Sequence, residues 1–92
     1  MLLREITREA ISSVCLKSIE DDKELCFPTQ ETINTAISYI NDLRCMNLFL
    51  KENFEILLCP NGTICFKNSK RSFLFNVCGK VVDYTLKNKN LF

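Results

Sequence analysis

Apolar positions along the chain change period once, near residue 48. Before it they recur at helical spacing; after it they alternate. Leu3, Ile6, Ala10, Ile11 and Val14 fall on one side of a 3.6-residue helix, with Cys15 at the margin. They predict a helix over residues 2–19. Leu16 and Ile19 lie outside that stripe, so this helix is expected either to be covered on two sides or to end early. Residues 20–24, Glu-Asp-Asp-Lys-Glu, read as a solvated connector. Their four acids lack the ligand spacing and glycine hinge of a cation loop. Thr29 then offers an N-cap, and Glu31 sits in the first turn, where the helix dipole favours an acid. Ile33, Ala36, Ile37, Ile40 and Leu43 make a clean stripe for a second helix over about 30–47.

Four short strands are predicted downstream, at about 53–59, 63–68, 72–78 and 81–86. Pro60-Asn61-Gly62 suits a three-residue hairpin with the glycine left-handed, Asn68 to Arg71 is a polar loop, and Gly79-Lys80 suits a two-residue turn. The turn lengths can be checked against one another, because a one-residue slip moves every later side chain to the other face. A three-residue first loop aligns Phe54, Ile56, Leu58, Ile64 and Phe66; an even second loop adds Phe73, Phe75 and Val77; a two-residue third turn adds Val82, Tyr84 and Leu86. One continuous apolar face results. The expected fold is α+β: two N-terminal helices packed on one face of a four-stranded antiparallel meander, a single domain over 1–92.

The other face of that sheet is mixed. It carries Glu55, Leu57, Cys59, Cys65, Lys67, Leu74, Asn76, Cys78, Val81 and Asp83. Two helices cover one side of such a sheet, which leaves Leu57, Leu74, Val81 and the thiols without a cover. Uncovered apolar patches mark interfaces, so Leu57, Cys65, Leu74 and Val81 are the expected contact residues. A self-complementary face would make a homodimer, and a different protein partner would use the same face.

Charge adds a second candidate. The net charge is +1, too small to draw the whole chain to a polyanion. Residues 1–46 nevertheless carry −3 and residues 47–92 carry +4. Strand directions in the meander gather Lys51, Lys67, Lys70, Arg71, Lys87 and Lys89 at one edge. Six cations at one edge are the alternative site, for nucleic-acid phosphates.

Enzymatic chemistry is not expected. There is no histidine, which removes the commonest general base and the usual protease constellations. Two glycines cannot build a phosphate-binding loop. The six cysteines, at 15, 26, 45, 59, 65 and 78, include no pair with knuckle spacing, so no metal, cofactor or small-molecule substrate is expected. No apolar run approaches bilayer-spanning length, and Met1-Leu2-Leu3-Arg4-Glu5 places charge where a signal peptide needs its apolar core. A reducing cytoplasm with cysteines as thiols is the expectation. Phe, Tyr, Met, Ile, Asn and Lys number 36 against 10 for Gly, Ala, Arg and Pro. That bias follows A/T-rich codons and suits a phage or viral accessory protein in a host cytoplasm. The function expected is that of a small non-enzymatic regulator or inhibitor that works by contact.

Overall fold

The structure is a computed structural model that describes residues 1–76, together with the backbone of residues 81–85. It is α+β, with two helices and a three-stranded antiparallel sheet. The helices are α1, Arg8–Asp21, and α2, Gln30–Cys45; the strands are β1, Glu55–Cys59, β2, Thr63–Lys67, and β3, Arg71–Phe75. The expected four-stranded meander goes one strand further, and its third turn, Gly79-Lys80, lies outside the described residues.

Both helices start where a threonine can cap them. The Thr29 hydroxyl accepts from the Thr32 N–H at 3.2 Å, as the sequence predicts for α2. The first helix differs from expectation. Leu3–Glu5 is a single 3-10 turn, and α1 begins only after Thr7, whose hydroxyl accepts from the Ala10 N–H at 3.1 Å. Long-range pairing explains the break. The Phe54 N–H donates to the Met1 carbonyl at 2.7 Å and Leu2 bridges Asn53, so the first residues extend along the start of β1. Arg44 at the end of α2 completes the anchor. Its Nε donates to the Leu3 carbonyl at 3.1 Å and its guanidinium also to the Ile6 carbonyl at 2.8 Å.

Across the first two hairpins the sheet has the register that the turn lengths demand. Ile56 pairs with Phe66 and Leu58 with Ile64 across the first hairpin; Phe66 pairs with Phe73 and Ile64 with Phe75 across the second. Phe54, Ile56, Leu58, Ile64, Phe66, Phe73 and Phe75 are all buried in one cluster with Leu3, Ile6, Ile11 and Cys15 from the N-terminal part and Ile33, Ala36, Ile40 and Leu43 from α2. Cys15, expected at the margin of the stripe, is fully buried. Helix α1 packs on β1, and α2 on β2 and β3. Tyr39 of α2 sets its ring 5.3 Å from Phe73 and 5.6 Å from Phe75, tilted as aromatic quadrupoles prefer.

Pro60-Asn61-Gly62 closes the first hairpin with two left-handed residues rather than one, Asn61 at φ 62° and Gly62 at φ 74°. Asparagine and glycine are the residues that enter this region at least cost. Gly62 also lies against the chain that leads into α2: a Cβ there would stand 3.1 Å from the Pro28 Cα.

Candidate functional site

Cross-strand pairing joins Leu57 to Cys65 and Cys65 to Leu74 in a single row across the sheet. Leu57 and Leu74 are half-buried, and none of the three belongs to the core cluster. The row therefore stands apart from the core, on the face turned away from the helices. Cys65 at its centre is only 6% exposed. Within the row, the leucines therefore present more surface than the thiol between them. Val81, the fourth expected contact, has a side chain outside the described residues; its backbone is paired with Phe75 of the core row, and it is Val82, not Val81, that is paired with Leu74. Beside the row, Glu55 pairs with Lys67, both exposed, and Cys59 pairs with Thr63. Paired opposite charges leave this face near neutral, flanking a narrow apolar strip.

Four of the six residues expected at the basic edge are described. Lys51, Lys67 and Lys70 are exposed there. Lys87 and Lys89 lie outside the described residues. Arg71 is half-buried and already paired. Its guanidinium forms a two-pronged pair with Glu52, Nε to Oε1 at 3.0 Å and the terminal nitrogen to Oε2 at 3.1 Å, and lies over the Phe49 ring at 3.8 Å. Asn68 adds an amide hydrogen bond to Glu52 at 2.9 Å. Partial burial tends to raise the Glu52 carboxyl. The hydrogen bonds from Asn68 and Arg71 and the positive charges of Arg71 and Lys70 outweigh it, so its pKa sits below the ordinary glutamate range.

This cluster organises the connection between α2 and β1. Phe49 has φ 57°, a left-handed conformation that costs a bulky side chain about 1–2 kcal/mol. The Arg71 guanidinium on its ring and the Phe73 ring 6.1 Å away offset that cost. Residue pairing 19 positions apart is invisible to periodicity. The only available signal was that Glu52 and Arg71 border the strands on either side of one sheet edge. Lys51, Glu52, Asn53, Asn68, Ser69 and Lys70 line a hollow of about 270 Å³ beside it. A larger hollow of about 560 Å³ runs along α2, lined by Glu31, Asn34, Thr35, Ser38, Tyr39 and Asp42.

Among the described residues no three histidine, cysteine or acidic side chains stand close enough to hold a metal ion. Burial raises the pKa of the Cys15 thiol, which keeps it protonated and unreactive. Among the described residues no helix is long and apolar enough to cross a membrane. No known protein family, curated protein or solved structure matches the chain.

Proposed function

We propose that the protein is a small non-enzymatic binding protein, a regulator or inhibitor by contact, that acts through the outer face of its sheet and uses that face to form a two-fold homodimer. The observation that carries this reading is the in-register row Leu57–Cys65–Leu74, separate from the core. The second copy is favoured over another partner because the face is close to neutral. Glu55 beside Lys67 lets two identical faces meet without the like-charge repulsion that a one-signed patch would impose.

A four-stranded meander is part of the proposal, since a fourth strand would widen the face. Pairing of Arg71–Phe75 with Val81–Thr85 supports it. Phe75 opposite Val81 leaves five residues between the strands, which is a different register from the one a two-residue Gly79-Lys80 turn would set.

Light scattering after size exclusion, under reducing conditions and at several concentrations, tests the reading. A mass of twice 10.7 kDa is expected for the wild type. Leu74→Glu should return the single-chain mass with an unchanged circular dichroism spectrum. A wild type that stays single at every concentration overturns the proposal, as does a Leu74→Glu variant that unfolds, because Leu74 would then be core.

A further inference from the structure

Residues 46–52, between α2 and β1, hold two left-handed residues in three, Asn47 at φ 56° and Phe49 at φ 57°. Strain of this kind persists only where surrounding contacts fix it, and it gathers at functional surfaces. Here the fixing contacts are Arg71 and Phe73 on the Phe49 ring. While Phe49 turns in, its neighbours turn out: Met46 is 58% exposed, and Leu48 and Leu50 are each 39% exposed. These are three of the six large apolar side chains exposed among the described residues, within five positions. Lys51 follows directly, and it shares the 270 Å³ hollow with Lys70. Glu52, the acid between them, is paired with Arg71, while among the described residues neither lysine forms an ion pair.

We propose that this end of the molecule docks on an anionic lipid surface, with Met46, Leu48 and Leu50 entering the headgroup boundary and Lys51 and Lys70 resting against lipid phosphates. Aliphatic side chains beside lysines are the chemistry of an interfacial membrane contact. A nucleic acid would draw on the same lysines but would need an exposed ring for its bases. The two aromatic side chains in this connection both lie inward, Phe49 under Arg71 and Phe54 buried in the core. The binding is weak and reversible, because each lysine near an anionic surface contributes only about five-fold in affinity. It is independent of the homodimer, since it uses neither Leu57 nor Leu74.

Co-sedimentation of the full chain with phosphatidylcholine vesicles, with and without phosphatidylserine, tests it. The wild type should sediment with the anionic vesicles and much less with the neutral ones. Lys51→Gln and Lys70→Gln should each reduce the bound fraction about five-fold at limiting lipid. A Leu48→Ser/Leu50→Ser variant should lose binding while keeping the wild-type circular dichroism spectrum. Because both leucines are exposed, that variant is expected to fold. Absence of wild-type binding to anionic vesicles overturns the proposal. So does full binding by the leucine variant, and a single-stranded oligonucleotide that then bound through the same lysines would assign the edge to nucleic acid.

Discussion

Glu52 shows how one side chain can be both stabilised and exposed to acid. Its carboxylate accepts from Asn68 and twice from Arg71, and those partners hold its pKa below the ordinary range. A carboxyl with a depressed folded pKa contributes stability that is fully present above its unfolded pKa and is lost as pH falls through the folded one. Stability should therefore decline as the pH drops below the usual glutamate range. Glu52→Gln should be less stable at neutral pH, by about 1–2 kcal/mol, and should show a shallower acid decline. Urea titrations at a series of pH values measure both; parallel pH profiles for the two proteins would deny Glu52 this role. The thiols divide in the same residue-by-residue way. Cys15 is fully buried with a raised pKa, whereas Cys26 and Cys45 are exposed. Iodoacetamide under native conditions should modify Cys26 and Cys45 first and reach Cys15 only on unfolding, as peptide mass spectrometry would read.

At the level of elements, what the sequence could reveal depended on how local the deciding contact was. The inward face of β1, β2 and β3 was legible because loop parity is a local property, and Pro60-Asn61-Gly62 and Asn68 to Arg71 set it without help from elsewhere. Helix α2 was legible for the same reason, with its cap and stripe contiguous. The start of α1 was not, because the bridge of Leu2 to Asn53 and the reach of Arg44 to the Leu3 and Ile6 carbonyls span about half the chain. The pairing of Arg71 was hidden for the same reason: its partners Phe49 and Glu52 belong to another connection. Gly62→Ala tests the hairpin. It meets both a left-handed φ and a Cβ 3.1 Å from the Pro28 Cα. A loss of about 1–2 kcal/mol is expected. Asn61→Ala, left-handed but without that approach to Pro28, should cost less, and equal losses in thermal melts would show that the contact with Pro28 carries no weight.

Among the described residues the sheet has one face buried by helices and one that is not, and this asymmetry makes association and stability the same question. If two copies meet at Leu57 and Leu74, the folded dimer buries apolar area that a single chain leaves half-covered, and mass action then ties unfolding to concentration. The melting temperature should rise as protein concentration increases. In Leu74→Glu, where a charge meets its own copy across the two-fold axis, the melting temperature should fall to the wild type's dilute limit and lose its concentration dependence. Leu16→Glu supplies the control. Leu16 is 55% exposed on α1, away from the sheet's outer face, so that substitution should leave both the mass and the concentration dependence of melting unchanged. Should Leu16→Glu dissociate the protein as readily as Leu74→Glu, the contact between copies would run through the helices, and the outer face of the sheet would lose its assignment.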